Sequence, residues 1–389
     1  MVTGAFLALG GWHQSVLPGD DARSTGWLPL QVVDRYFGVV SNWDGRWYRS
    51  IAEGGYPETL PRSPNGTVQE NAWAFWPLYP AIVRLVMQTS TISFEASAWL
   101  VSVTCAALAM VVLYRLVLPT LGQWGAAAVV ACVMSFPSSP ILQIAYPEGL
   151  ALLLVVLALQ ALRDHRYGLV CLFALALGLT RPVSIPLAVV GLIHGFSRWR
   201  RAGRGEEAFT SRELWVVLLT SATCIAAFAL WPLTADLVVG ERNVYLKTLS
   251  AWSVNNQDSA GVLGGWVHDI MRLTPLGWVA IAAMLWVLYL VLRNGSDRWP
   301  LEIRGWGIAY TTYILVATRP SPSVLRYLLL AVIVAVPFPE VLSGIRGGKA
   351  RLHAFVFVAA IVGFGLLAQY LWVANVLTIR GSPLDQTYP

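Results

Sequence analysis

The chain has 389 residues, of which 56% are hydrophobic and only 12% charged, a balance that excludes an ordinary soluble domain arrangement and points to a membrane protein. Its formal charge of +6 comes from basic residues in short clusters between apolar runs. That is the distribution of cytoplasmic loops, and it excludes a nucleic-acid-binding face. Two lysines stand against 25 arginines, a bias that suggests a GC-rich bacterial genome.

The first apolar segment, Val2 to Trp12, rises about 1.5 Å per residue and cannot cross a hydrocarbon core of about 30 Å. It lacks the basic start of a signal peptide and reads as the end of a spanning helix that starts upstream. Runs near spanning length follow at Phe94 to Tyr114, Leu214 to Gly240, Pro275 to Leu292 and Ala354 to Thr378. Between them lie the basic clusters: Arg115; Arg163 with Arg166; Arg198, Arg200, Arg201, Arg204 and Arg212; Arg293, Arg298 and Arg304; Arg346, Lys349 and Arg351. Placing all of these inside makes the segments run in pairs, with outer turns near 137 to 140, 181, 236 to 274 and 318 to 323.

The expected fold class is all-α: a single polytopic transmembrane bundle over 1–389, with about eleven spans, the amino terminus inside and the carboxyl terminus outside. Residues 13–93 form a first extracytoplasmic loop carrying amphipathic helices, and 236–274 a second large outer loop. Within the first, Ala74 to Met87 is apolar but contains Pro77, Pro80 and Arg84, so it reads as an interfacial or re-entrant helix.

The densest polar and aromatic segment outside the spans runs from Ser41 to Tyr56. On a helix, Asp44, Trp47, Tyr48 and Ile51 share a face. A carboxylate beside aromatic rings suits a sugar, because rings stack on pyranose faces while the carboxylate accepts a hydroxyl proton. The competing reading makes Ser41 and Asp44 a capping box and the rings interfacial anchors. Further on, Phe136 to Pro140 and Tyr146-Pro147-Glu148-Gly149 lie at the outer end of a span pair. There Glu148 is either a functional group at membrane depth or a cap for the helix after Pro147.

Arg181, Arg319 and Arg326, the last followed by Tyr327, break the positive-inside pattern at the outer side. Guanidinium groups at that level can grip a lipid phosphate or simply snorkel to headgroups. His13 and His268 are outer-side histidines that read more readily as solvated. Cys105, Cys132, Cys171 and Cys224 lack metal or disulfide spacing and read as packing residues. Asn65-Gly66-Thr67 reads equally as a glycosylation acceptor or a turn. No phosphate loop, zinc motif or nucleophile elbow is present.

Trp43-Asp44-Gly45-Arg46-Trp47-Tyr48, with Ile51-Ala52 and Gly55-Tyr56, resembles the signature of PIG-V-like mannosyltransferases, the second mannosyltransferase of GPI-anchor assembly and its bacterial relatives. Phe75 to Pro80, Phe136-Pro137 through Tyr146-Pro147-Glu148, and Leu179-Thr180-Arg181-Pro182 agree in order, covering about the first half of the chain. Ser323-Val324-Leu325-Arg326-Tyr327 resembles a later arginine-tyrosine block. Gly149 stands where that family often has serine. The resemblance implies the GT-C fold, a catalytic carboxylate in the first outer loop, and a polyprenyl or dolichyl phosphate mannose donor.

The expected activity is therefore inverting hexosyl transfer, of mannose above other sugars, from a polyprenyl-phosphate donor to a hydroxyl of a lipid-linked or glycan acceptor. It would occur on the extracytoplasmic side of a bacterial plasma membrane, among membrane lipids and without nucleic acid. Asp44 is the expected base. Trp43, Arg46, Trp47, Tyr48, Tyr56, Glu148, Arg181, Arg326 and Tyr327 are expected to bind substrate. The loop with Trp252, Asn255, Asn256, Asp258 and Trp266 is the expected acceptor lid. The sequence demands no cofactor and leaves room for a divalent metal. The alternatives are a lipid-linked sugar flippase, which needs polar groups through the bilayer midplane, or the same enzyme class with an arabinosyl or glucosyl donor.

Overall fold

The computed structural model describes residues 2–12, 36–252, 278, 281–282, 285–286, 289, 299–318, 323–331 and 348–378. Among them the regular structure is helical, apart from an isolated antiparallel bridge between Arg62 and Val68. In chain order the helices are α1 (Val2–Trp12), α2 (Asp44–Gly54), α3 (Leu78–Ser90), α4 (Phe94–Met134), α5 (Glu148–Arg163), α6 (Tyr167–Gly178), α7 (Ile185–Gly203), α8 (Ser211–Val239), α9 (Val244–Ala251), α10 (Leu301–Ala317), α11 (Ser323–Leu328) and α12 (Gly348–Trp372). A π-helical turn, Val373–Leu377, continues α12.

Three described helices are long and apolar enough to cross a membrane: Phe94–Met134, Ser211–Val239 and Leu352–Leu377. With the composition, they make the chain an integral membrane protein. The fourth apolar run, 275–292, lies outside the described residues except at isolated positions, as do Arg293, Arg298 and Arg346, and the count of eleven spans depends on them. The 13 residues of α3 rise only about 20 Å, too short to span, in keeping with an interfacial helix.

Helix α4 begins where the serine before it can cap it: the Ser93 hydroxyl accepts the Ala96 amide at 3.3 Å, satisfying one free donor of the first turn. The apolar run ends near Arg115, yet the helix continues to Gly122, where φ is 68° and ψ 175°. Only glycine takes that conformation without steric cost, so the helix breaks there.

After the break the chain returns to the level it left. Ser102, early in α4, donates to the Ile144 carbonyl at 2.7 Å, while Arg163 at the end of α5 donates to the Leu116 carbonyl at 2.9 Å. The later helices alternate in the same way. Arg198 of α7 meets Tyr167 at the start of α6 at 2.9 Å, and His194 meets Glu302 of α10 at 2.9 Å. At the other end Arg181 meets Glu148, Tyr313 bonds the Pro182 carbonyl, and Trp231 of α8 donates to the Trp73 carbonyl at 3.2 Å. The described members of the arginine clusters on α5, α7 and α8, expected inside, thus share one end of the bundle, and Asp44, Glu148, Arg181 and Arg326 share the other. Paired, alternating segments are what the arginine distribution predicts.

Glycine sets how closely these helices approach. A Cβ at Gly178 of α6 would overlap the backbone carbonyl of Ala227 on α8. Gly168→Ala, where a Cβ meets nothing within 4 Å, is expected to be neutral or slightly stabilising because alanine is the better helix former by about 1 kcal/mol. Gly178→Ala should reverse that sign and destabilise by roughly 1–3 kcal/mol through overpacking, measured as a lower melting temperature of the purified protein in detergent.

Candidate active site

The site begins with a strained turn. Trp43 sits at φ 53°, ψ −118°, a region that costs a bulky residue about 1–3 kcal/mol and persists only when its surroundings hold it. Here the far end of the chain does the holding: Asn42 Nδ2 and Trp43 Nε1 donate to the Leu377 carbonyl at 3.0 and 3.1 Å. The turn starts α2 at Asp44 with no side-chain cap bond, so the Ser41–Asp44 capping box is not formed.

The Asp44 carboxylate instead reaches across 282 positions of sequence to Arg326 Nη1 of α11, at 2.7 Å. Glu148, at the start of α5, likewise makes no cap bond. Its Oε1 lies 2.5 Å from Arg181 Nη1 and 3.3 Å from Arg326 Nε. Asp44, Arg326, Glu148 and Arg181 therefore form a chain of alternating charge that sums to zero. Each neighbour offsets part of the several kcal/mol that burying a lone ion costs.

Exposure separates the two carboxylates. The Glu148 side chain is 0% exposed and that of Asp44 20%, so Asp44 is the one open to solvent. Its Oδ1 has no hydrogen-bond partner among the described residues. Glu148, between two guanidinium groups, fixes their positions, and its Oε2 is buried without a partner among the described residues. Arg326 is held between the rings of Tyr146 and Tyr327, each 5.2 Å from its guanidinium carbon, and Arg181 lies 5.2 Å from the Tyr327 ring. These are cation–π distances, strengthened where water is scarce.

Aromatic residues build the adjoining wall. Trp47 stacks on Phe75 at 5.7 Å and meets Trp252 edge-on at 5.4 Å. Tyr48 is buried against Phe75 and Tyr79, each at 5.3 Å. Burial pushes its phenol above the ordinary tyrosine value, which keeps it protonated. The other expected residues divide. Trp43 is buried and directed to Leu377, and Tyr56 stacks on Trp73 and meets Trp231 at a tilt, each at 4.7 Å, and donates to the Phe75 carbonyl at 2.9 Å. Both support the wall from behind. The Arg46 side chain is exposed and apart from the charge chain.

Arg319, His13, His268, Asn255, Asn256, Asp258 and Trp266 lie outside the described residues. Asp236, expected to open the acceptor loop, accepts the Asn243 and Val244 amides at 2.9 and 2.8 Å and so fixes the start of α9. Asn65-Gly66-Thr67 forms a turn closed by Gly66 N–H to the Ser63 carbonyl at 2.8 Å. The described cysteines are free. Among the described residues no three His, Cys, Asp or Glu side chains gather as a metal site.

Sequence reasoning missed Tyr146. Its hydroxyl accepts the Asp44 amide at 3.2 Å while its ring lies under Arg326. One side chain thus positions both members of the central ion pair. The signal was available in its place two residues before Glu148. Gly149 has a structural reason: a Cβ there would lie 2.7 Å from the Ser102 carbonyl oxygen, so serine would push α5 away from α4.

No protein-family model matches the chain, and no curated protein does. Among solved structures, the apo oligosaccharyltransferase of Archaeoglobus fulgidus is similar over 98% of this chain and 56% of its own, at a TM-score of 0.50 and 12% identity. The ArnT of Cupriavidus metallidurans bound to undecaprenyl phosphate is similar over 97% and 68% of the two chains, at a TM-score of 0.49 and 13% identity. The chain thus spans about half the length of the archaeal enzyme. At that identity the likeness shows the fold alone. It reaches neither the PIG-V-like family nor mannose.

Removing one carboxylate from the charge chain tests its energetics. Glu148→Gln leaves two buried guanidinium groups short of a partner and should cost about 3–5 kcal/mol. Asp44→Asn should cost clearly less, because that carboxylate is partly solvated. Melting temperatures of the two variants in the same detergent check the order.

Proposed function

We propose that the protein is an inverting glycosyltransferase that moves a hexose, mannose above others, from a polyprenyl-phosphate donor to a hydroxyl of a lipid-linked or glycan acceptor on the extracytoplasmic side of a bacterial plasma membrane. The observation that carries this reading is the 2.7 Å pair of Asp44 and Arg326, a solvent-accessible carboxylate joined to a guanidinium that Glu148 and two tyrosine rings hold in place. The fold shared with an oligosaccharyltransferase supports the reaction class.

In the proposed reaction the acceptor oxygen attacks the anomeric carbon, its proton passes to Asp44, and the bond from that carbon to the phosphate oxygen breaks. The anomeric configuration inverts and polyprenyl phosphate leaves. A phosphate leaving group needs no strong general acid, so one carboxylate suffices where glycoside hydrolysis uses two. Arg326 and Arg181 stabilise the charge that develops on the phosphate. Donor binding and base release are coupled in this scheme: a phosphate that takes Arg326 loosens its hold on Asp44 and frees that carboxylate to meet the acceptor hydroxyl. Trp47 and Phe75 offer ring faces to the sugar, and the protonated Tyr48 supplies a hydroxyl beside the charge chain.

Among the described residues the charged groups gather at the two ends of the bundle, with Asp44, Glu148, Arg181 and Arg326 together at one of them, which favours transfer over flipping. Asp44→Asn should lower the turnover number of sugar transfer by roughly 10²–10⁴-fold, the worth of general base catalysis, while binding of polyprenyl-phosphate mannose persists. Full transfer by this variant, with donor binding intact, would refute the assignment.

A further inference from the structure

At the end of the bundle opposite Asp44, a cavity of about 390 Å³ opens among Leu116, Pro119, Arg163, His194, Arg201 and Glu302. Its level in the membrane is marked by Trp124, Trp199 and Trp215, which are 74%, 58% and 65% exposed. Trp124 follows the Gly122 break, Trp199 lies between Arg198 and Arg201, and Trp215 starts α8. Exposed indoles at one end of a spanning bundle sit among lipid headgroups. The cavity therefore faces headgroups.

Its lining is charged in both senses. At the rim, Arg201 pairs with Glu207 at 3.0 Å, and Arg163 bonds Asp164 at 3.4 Å and the Leu116 carbonyl. Both arginine side chains are partly exposed, 30% for Arg163 and 45% for Arg201. Glu302 differs, with a side chain only 7% exposed whose partner among the described residues is an imidazole, His194 Nδ1 at 2.9 Å. Among the described residues no arginine or lysine pairs with Glu302. His194 Nε2 is buried and has no partner among the described residues. His165, with its ring 5.4 Å from that of His194, is held below the usual histidine range by burial and by Arg198, so it adds no compensating charge near neutral pH.

A carboxylate this poorly compensated seeks a cation that can donate hydrogen bonds. The partly exposed guanidinium groups at the rim seek an anion, and Leu116, Pro119 and Leu301 present apolar surface. A purely anionic head meets Glu302 unfavourably, and a quaternary ammonium cannot donate to it. We propose that this cavity binds the head of an aminophospholipid, with its primary ammonium on Glu302 and its phosphate on Arg163 and Arg201.

The test is a titration of the purified full chain in detergent with phosphatidylethanolamine, phosphatidylcholine and phosphatidylglycerol of identical acyl chains, and with soluble phosphoethanolamine, read by native mass spectrometry. Phosphatidylethanolamine is expected to bind about tenfold more tightly than phosphatidylcholine, the worth of a charge-assisted hydrogen bond, and phosphatidylglycerol more weakly than phosphatidylethanolamine. Glu302→Gln should abolish the preference, and Arg163→Ala should weaken both zwitterionic lipids. Equal binding of phosphatidylethanolamine and phosphatidylcholine by the unaltered protein overturns the proposal whether or not either variant folds. Retention of the preference by Glu302→Gln overturns it too. Soluble phosphoethanolamine binding as tightly as the lipid assigns the cavity to a soluble ligand and overturns the lipid assignment.

Discussion

The structure depends on one guanidinium. Arg326 lies on α11, far along the chain from both carboxylates it serves, and its contacts to Asp44 and Glu148 tie the first loop, the start of α5 and the last third of the chain together. Such a contact closes a very long loop, which chain entropy disfavours only logarithmically with length. A buried charge without its partner costs several kcal/mol, so the penalty for misplacing any one element exceeds the entropy of bringing it in. The pairing on which the proposed chemistry rests therefore also specifies the topology around it.

Much of this arrangement was legible because polar groups at membrane depth are conspicuous. Asp44, Glu148, Arg181 and Arg326 each break a local pattern, and the arginine clusters assign them all to one side. Their order of contact was not legible. Nothing in spacing says that Glu148 holds two arginines in place while Asp44 faces solvent, because that follows from burial, which depends on elements distant in sequence. Trp43 illustrates the same limit: its neighbours suggest a sugar platform, but its ring nitrogen is used by the Leu377 carbonyl. Sequence offers no way to foresee a partner more than 300 positions away. The capping alternatives failed for a related reason, since a carboxylate at a helix start bonds free amides only where no guanidinium competes for it.

Backbone proximity underlies the placement of these side chains. The close approach of Gly149 to the Ser102 carbonyl brings Tyr146 and Glu148 against α4, where Ser102 bonds Ile144 and also contacts the Tyr79 hydroxyl at 2.9 Å. Tyr79 in turn packs against Tyr48. Small residues matter between membrane helices because lipid tails are as apolar as leucine, leaving close van der Waals contact and buried hydrogen bonds to hold helices together. A glycine at position 149 and a hydroxyl at position 102 thus act on the site without touching a substrate.

The two ends of the bundle also treat charge differently. At the Asp44 end the four ions alternate and neutralise one another, so under the proposed function an incoming phosphate is stabilised only by displacing or sharing an existing partner. That makes binding selective, because a ligand must supply enough charge to compete with a carboxylate at 2.7 Å. A neutral sugar or an alcohol lacks that charge, whereas the phosphate of the proposed donor carries it and would meet the guanidinium already aligned at Asp44. Preorganisation of this kind costs stability when the site is empty and lowers the reorganisation needed when charge moves during reaction. A buried ion chain contributes little net stability over apolar packing of the same volume, so under the proposed function it is the charge of the donor, and not the folding of the helices, that accounts for four ions gathered here.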